Sequence, residues 1–326
     1  MNSHARFAAH TARKLGYAFR SLDGDDAYLF EVSDGARAAA FSTAYGTPYA
    51  INTARAYSLA RDKSFCQRVL AGAGVATIPT QLFFANTRQQ AYRSPGRERE
   101  DALAWAAGAA FPVFCKPNQG SKGEFAEIVA SAAAFEDYLN RVGPTYDVIL
   151  VQPVLRGEEH RVLVLNGAPL CSYRKVKPQI EGDGRASVRQ LLERARTTWK
   201  AAAQATPLDA VQARDVTGAL TPHDAVPEAG ARLTLEGRAN RAAGGDADRV
   251  LDAPPAALAE IGRAAAAAIG LGLAGVDVFD VSPARDFSDL VIIEVNANPA
   301  VETLESQGRL DLIEAIWEAN FAAALR

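Results

Sequence analysis

The stretch DLVIIEVNANPA, residues 289–300, constrains the fold of this chain more than any other part of the sequence. Its first half is a run of large apolar residues, which predicts a buried strand. Successive strand residues point to opposite faces, so Glu294 and Asn296 share one face where the strand ends. A carboxylate and an amide placed together in this way indicate a hard cation, a cap or turn, or plain exposure.

A second strand with a polar residue in its middle precedes this one. The segment AGVDVFDV, residues 274–281, is predicted to pair with 289–296 through a polar loop. As antiparallel neighbours, the two strands would bring Asp277 near Glu294 and Asn296. Such an all-oxygen set suits Mg²⁺ better than zinc, and Mg²⁺ held by few protein oxygens usually holds substrate phosphates as well. The alternative is that Asp277 begins a loop and that 296–299 is only a turn.

A glycine-containing loop, KPNQGSKG, occupies residues 116–123. Lys116 ends a predicted strand, and Gly120, Ser121 and Gly123 lie in the loop that follows. Glycine lets backbone N–H groups approach a phosphate closely, and lysine adds a point charge. The loop is not a Walker A motif, because the Gly-Lys-Ser/Thr spacing is missing and a strand is predicted to follow. The alternative is an ordinary hairpin loop.

The third candidate segment is VQPVLRGEEHRVLVLNG, residues 151–167. Gln152 to Val154 could offer backbone groups to a flat base at the edge of an apolar pocket. Glu159 could accept hydrogen bonds from ribose hydroxyls. The alternative is a solvated acidic pair, Glu158 and Glu159, beside a hairpin.

Composition excludes several classes of protein. The chain has 326 residues, of which 48% are hydrophobic, enough for a large core in one to three domains. The net charge is −3 and no basic run is dense enough to predict nucleic-acid binding. The three cysteines are far apart, which argues against a disulfide framework or zinc cluster and favours a reducing, cytoplasmic compartment. We see no signal peptide, and no apolar run is long enough to span a membrane.

The remaining patterns predict an α+β chain whose sheets are mixed or antiparallel. Asn166-Gly167 favours a tight hairpin turn. Apolar residues at helical spacing predict a helix within 61–75, and another is predicted at 309–325. Cys115 is predicted to be a small core residue and not a nucleophile. Residues 197–250 are the least regular part of the sequence, and a loop of that length is usually functional or mobile.

Taken in this order, the motifs resemble the ATP-grasp superfamily from about Asp62 to Asn298. The matching segments are DK (62–63), FCKPNQGSKG (114–123), VQPVLRGEEHRVLVLNG (151–167), GVDVF (275–279) and IIEVNANP (292–299). Residues 175–195 and 237–250 are similar to cyanophycin synthetase and its glutathione-synthesising relatives. The resemblance implies two α+β subdomains that grip ATP between them. Its parts would be a short N-terminal α/β region (1–61), linker helices and a strand (62–110), a small subdomain with the glycine loop (111–155) and a C-terminal subdomain with the metal site (156–326).

The resemblance also implies roles for individual residues. The phosphates of ATP would be bound by Lys63 and Lys116, together with the loop of Gly120, Ser121 and Gly123. Its adenine would lie against Gln152 and Val154, and its ribose would be bound by Glu159. Mg²⁺, or Mn²⁺ in its place, would be held by Asp277, Glu294 and Asn296. The catalytic and substrate-binding residues would be Lys175 near the triphosphate or acyl phosphate, and Arg161, Arg238 and Asn240 facing the carboxylate substrate or the transferred phosphate.

The implied activity is an ADP-forming ligation of a carboxylate to an amine through an acyl phosphate. Its partners would be small-molecule acids and amines, of amino-acid or small-peptide type, without nucleic acid or membrane, and a homodimer fits the family. Two alternatives stay open: an ATP-binding sensor without turnover, and phosphoryl transfer without ligation. The sequence departs from the family at two places. Residues 239–245 lack expected hydroxyl groups, and Gly275 lies where some ligases have an arginine, a role that Arg238 is expected to take.

Overall fold

The computed structural model divides the chain into two compact units. It describes residues 1–44, 46–121, 123–199, 204, 206–236 and 245–326. Unit one comprises residues 1–77, 160–174 and 249–326, and unit two comprises residues 78–159 and 175–248. The predicted boundaries after residues 61, 110 and 155 stay predictions.

The described elements of unit one are six helices and seven strands, two of which continue into unit two. The helices are α1 (Ser3–Lys14), α2 (Ala54–Arg61), α3 (Lys63–Gly72), α7 (Ala256–Ile269), α8 (Glu302–Ser306) and α9 (Leu310–Ala324). The strands are β1 (Ala18–Ser21), β2 (Leu29–Ser33), β3 (Ala38–Ser42), β8 (Glu158–Leu165), β9 (Ala168–Val176), β15 (Leu273–Asp280) and β16 (Leu290–Asn296). The chain passes between the units within β8 and within β9.

The described elements of unit two are shorter. The helices are α4 (Arg99–Gly108), α5 (Ala132–Val142) and α6 (Val188–Arg196). The strands are β4 (Gln81–Phe84), β5 (Val113–Pro117), β6 (Glu127–Val129), β7 (Val148–Pro153), β10 (Gln179–Glu181), β11 (Ala213–Arg214), β12 (Leu220–Thr221), β13 (Arg232–Leu235) and β14 (Asp246–Ala247). No helix in the described part of either unit is long and apolar enough to cross a membrane.

The main sheet of unit one has the strand order β9-β8-β15-β16. Strands β8 and β9 form the predicted hairpin, and both turn residues, Asn166 (φ 49°) and Gly167 (φ 81°), adopt the left-handed conformation that a tight hairpin turn requires. Strands β15 and β16 pair antiparallel, as predicted, with Asp277 opposite Glu294. The strands that carry the polar residues are therefore neighbours in one sheet.

The core of unit one forms because helices α2, α3 and α7 lay apolar side chains on this sheet. Buried members include Leu70 of α3, Ile269 of α7, Val162 of β8 and Ile292 of β16. Helix α7 can approach the sheet closely because it carries Gly262 where a larger residue would meet Val162. The predicted helix within 61–75 is confirmed as α3.

The N-terminal residues of unit one form a separate aromatic core. Strands β1, β2 and β3 make an antiparallel sheet in that order. Phe30 and Phe41 from this sheet stack on each other and pack against Trp317 and Phe321 of α9. The first residues of the chain are thereby joined to its last helix, whose predicted position at 309–325 is confirmed.

Unit two contains two small sheets, each with its own core. The first, β4-β7-β5-β6, packs one face against α4 and α5, and the thiol of Cys115 is buried there as alternation predicted. The second, β10-β13-β11-β12, packs Leu233 and Leu235 against Leu192 of α6 and against Trp199.

The second sheet shows that the segment 197–250, predicted to be the least regular part of the sequence, still contributes three short strands to a sheet. Its strands there are only two to four residues long, too short to show a clear period in the sequence. Pairing with β10 and packing against α6 supply the order that local sequence does not.

We predict that Gly262→Ala destabilises the protein by roughly 1–3 kcal/mol, because it overpacks a full core. A Cβ at this position would lie 2.8 Å from Val162 Cγ1, so α7 would have to move away from the sheet. Chemical denaturation monitored by circular dichroism measures the change.

Gly72→Ala is the matched control, since Gly72 is also helical but a Cβ there meets nothing within 4 Å. Alanine has the higher helix propensity, so this variant should be neutral or up to about 1 kcal/mol more stable. Equal effects of the two substitutions would contradict the packing described for α7.

Candidate active site

The centre of the candidate site is the pair of strands β15 and β16. Asp277 is only 2% exposed and lies directly opposite Glu294. The amide nitrogen of Asn296 is 3.4 Å from Oδ2 of Asp277. The structure therefore brings together the three residues predicted to bind metal, and the prediction that they lie close is confirmed.

Arg161, from the adjacent strand β8, binds both oxygens of the Asp277 carboxylate. Its Nε donates to Oδ1 at 2.5 Å and its Nη2 donates to Oδ2 at 2.9 Å. Burial would lower the pKa of the Arg161 guanidinium, but the negative charge of Asp277 and, less strongly, the nearby Tyr173 and Glu294 outweigh it and raise that pKa. Arg161 is thus held in its charged form.

Gly275 leaves the space that the Arg161 side chain occupies. A Cβ at residue 275 would lie 2.9 Å from Nη1 of Arg161 and 2.8 Å from Cβ of Pro299. The sequence had predicted that Arg238 replaces the arginine that some ligases carry at this position. Arg238 and Asn240 lie outside the described residues, and among the described ones Arg161 reaches this place.

Lys63 brings a second positive charge to the site. It is the first residue of α3, whose N-cap is Asp62, with the side chain of Asp62 accepting a hydrogen bond from the backbone N–H of Phe65. The Nζ of Lys63 is buried and lies 3.3 Å from Oε1 of Glu294. Two cations and two carboxylates therefore face each other around these strands.

The donor set fits a magnesium ion. Asp277, Glu294 and Asn296 offer carboxylate and amide oxygens, which are the donors that Mg²⁺ prefers. In the described ranges, no group of three or more His, Cys, Asp or Glu side chains is arranged to hold a metal. The predicted set contains two carboxylates and one amide, which would leave an ion free to bind substrate oxygens as well.

Asn52 is a positioning residue that sequence reasoning missed. Its side chain donates to the backbone carbonyls of Leu273 and Ala297 and accepts from the N–H of Leu273. It thereby ties the start of β15 to the residue after β16. A single asparagine in a loop gives no signal of such a role in sequence, because its partners are more than 200 residues away.

In unit two, the predicted phosphate and adenine residues lie on the same face of one sheet. Lys116 and Phe114 are two residues apart on β5 and therefore point to the same face of the sheet. Gln152 on β7 lies opposite Phe114 and so shares that face. The Nε2 of Gln152 donates to Oγ1 of Thr80. Lys116 is buried, whereas Ser121 in the following loop is exposed.

The two glycines of the loop after Lys116 lie where a side chain would be crowded or strained, and the predicted approach of their N–H groups to a phosphate stays a prediction. A Cβ at Gly120 would lie 3.1 Å from Cβ of Pro117, and Gly123 has a φ of +75°. A strand, β6, follows the loop, which confirms that it is not of the Walker A type.

Lys175 and Glu159 form an ion pair where β9 and β8 enter unit two. The Nζ of Lys175 lies 2.5 Å from Oε1 of Glu159, and both side chains are 13% exposed. The predicted ribose acceptor and the predicted catalytic lysine are therefore in direct contact. Their predicted roles toward ATP are compatible with this contact and stay predictions.

A cavity of about 720 Å³ lies within unit two. Gln152 and Val154, the predicted adenine contacts, are in its lining, and Lys177, Arg214 and Glu236 contribute charge. Lys177 and Arg214 both face Glu236, at 3.2 and 3.8 Å. Sequence reasoning missed Arg214 and Glu236, which belong to the short strands of the second sheet and its edge.

The fold and this site can be compared with those of known proteins. No protein-family model matches the chain. Over 98% of its length the chain superposes on the crystal structure of a bifunctional glutathione synthetase from Pasteurella multocida, with a TM-score of 0.51 at 17% identity, and it covers 43% of that chain. The chain has the ATP-grasp fold that the motifs predicted.

The chain is also similar in sequence to two kinds of curated protein. It is 26% identical over 240 residues to the glutathione biosynthesis bifunctional protein GshAB of Enterococcus faecalis, covering 68% of this chain and 32% of that protein. It is 27% identical over 264 residues to the cyanophycin synthetase of Trichormus variabilis, covering 77% and 28%. The chain thus spans about a third of the length of the curated relatives it matches.

We predict that none of the three cysteines reacts quickly in the folded protein. Burial raises the pKa of Cys66 and of Cys171 to about 12, and it also raises the pKa of Cys115. Almost no thiolate therefore exists at pH 8, and the thiolate is the reactive form. Modification with an aromatic disulfide reagent at pH 8 should proceed only in denaturant, and fast labelling of one thiol in the native protein would contradict the burial.

Proposed function

We propose that this chain is an ATP-dependent, ADP-forming ligase that joins a carboxylate to an amine. The observation that carries the proposal is the arrangement on β8, β15 and β16 in an ATP-grasp fold. There, oxygen donors for a metal are flanked by Arg161 and Lys63, which can bind phosphate oxygens.

The arrangement suits activation of a carboxylate. A carboxylate is a poor electrophile at neutral pH, and transfer of a γ-phosphoryl group converts it to an acyl phosphate with a good leaving group. An amine then attacks the acyl carbon, the amide forms and phosphate leaves. Phosphoryl transfer and the departure of phosphate both require positive charge beside the phosphate oxygens, because negative charge is concentrated on those oxygens in each step.

The residues at the site divide this task. Asp277, Glu294 and Asn296 would hold magnesium, which when bound neutralises charge on phosphate oxygens. Arg161 and Lys63 supply fixed positive charge in a largely buried setting, where electrostatic interactions are stronger than in water. The nucleotide contacts proposed for Lys116, for the Gly120–Gly123 loop, for Gln152 with Val154, and for Glu159 come from the sequence resemblance.

We propose amino acids or small peptides as the acid and amine. The proteins to which the chain is similar are named for glutathione biosynthesis and cyanophycin synthesis. Lys175 and Arg161 place positive charge at the ends of β9 and β8, which would suit substrates that carry further carboxylates. We also propose a cytoplasmic setting, since all three cysteines are free thiols.

We predict that Glu294→Gln lowers ADP release by about 100-fold or more, because loss of a metal ligand should cost at least as much as loss of an outer-shell partner. ADP release is measured with Mg²⁺ and ATP against pooled amino acids and dipeptides. Release in the wild type should need one acid and one amine. Glu305→Gln is the control, since Glu305 pairs with Arg6 on α1 and lies apart from β16.

Two other outcomes would contradict the ligase proposal and favour a different function. ATP binding without ADP release in any pool would favour a sensor without turnover. ADP release with a stable phosphorylated product, and no hydroxamate on addition of hydroxylamine, would show phosphoryl transfer without ligation.

A further inference from the structure

We propose that Arg161 and the divalent cation compete for Asp277, so that Arg161 sets the metal affinity of the site. The inference rests on the proposed metal site. Its basis is that the Arg161 guanidinium binds both oxygens of the carboxylate that is central to that site. A metal ion that takes an oxygen of Asp277 must share that carboxylate with Arg161 or displace it.

Burial explains why the arginine is there. Asp277 is 2% exposed, and the Arg161 side chain is 12% exposed. A buried carboxylate without a positive partner is strongly unfavourable, so Arg161 stabilises Asp277 when no metal is bound. Arg161 therefore acts as an internal counter-ion for the metal-free protein.

The same burial makes the two cations repel each other. A guanidinium and a divalent ion on one carboxylate lie within a few ångströms, and little water is present to screen them. Lys63, 3.3 Å from Glu294, adds to this repulsion at the other carboxylate. Among the described residues, the positive charges of Arg161 and Lys63 offset those of Asp277 and Glu294, which weakens the attraction for a free cation. An anionic nucleotide that binds together with the ion would offset the charge that the ion adds.

Gly275 leaves the arginine its space. A Cβ on residue 275 would lie 2.9 Å from Nη1 of Arg161 and 2.8 Å from Cβ of Pro299, so it would be wedged between the guanidinium and the proline that follows β16. The competition is therefore built from three separated parts of the chain: β8, β15 and the residues after β16. In a purely structural role, Arg161 would support the fold and leave the metal affinity unchanged.

The test is Mn²⁺ binding to the full chain without nucleotide, followed by electron paramagnetic resonance of the free ion. Removing the positive charge in Arg161→Gln should tighten Mn²⁺ binding by about tenfold or more. Arg161→Lys keeps the charge and should stay near the wild-type affinity. Unchanged or weaker binding in Arg161→Gln would overturn the inference.

Arg141→Gln is the matched control, because Arg141 pairs with the buried carboxylate of Glu127 in unit two. Both glutamine variants should lower the melting temperature. Mg²⁺ should restore part of the loss in Arg161→Gln, where it replaces the missing charge, and none in Arg141→Gln. Equal recovery, or no recovery in either, would count against competition at Asp277.

Gly275→Ala keeps the inference testable if Arg161→Gln does not fold. Its Cβ should push the guanidinium away from Asp277 and so tighten Mn²⁺ binding in the same direction. These measurements need neither ATP nor substrate. If Arg161 and the metal compete but no ADP is released, this inference stands and the proposed ligase activity fails. If ADP is released but there is no competition, the ligase activity stands and this inference fails.

Discussion

The ion pair between Arg161 and Asp277 is the interaction on which the candidate site depends. It joins β8 to β15 through two hydrogen bonds inside a layer that excludes most water. Because the carboxylate is buried, the positive charge of Arg161 offsets the cost of burying it when no metal is bound. The same carboxylate is a proposed magnesium ligand, so one contact bears on both the stability of unit one and its proposed chemistry.

The surrounding structure maintains this pair from several directions. Gly275 gives the guanidinium its space, and Asn52 holds the ends of β15 and β16 together. Helix α3 begins at Lys63 and so places a lysine beside Glu294. None of these contacts is local in sequence, so the packed strands and helices bring these side chains together, and not their neighbours along the chain.

Much of the fold was accessible from sequence because its signals are local. The period of apolar residues located α3 and α9, Asn166-Gly167 located the hairpin, and the register of two polar strands brought Asp277 near Glu294. The strands β11, β12 and β13 were missed because they are too short to show a period. They are ordered by long-range pairing and by packing against α6.

The sequence by itself determined the ATP-grasp fold class, the two polar strands and the kinds of atom they offer to a metal. Only the tertiary structure decided that Arg161 occupies the space at Gly275 and binds Asp277, and that Lys175 contacts Glu159. The reason is physical. Alternation and turn chemistry act over a few residues, whereas a buried charge chooses its partner from whichever side chains the packed sheet brings within reach.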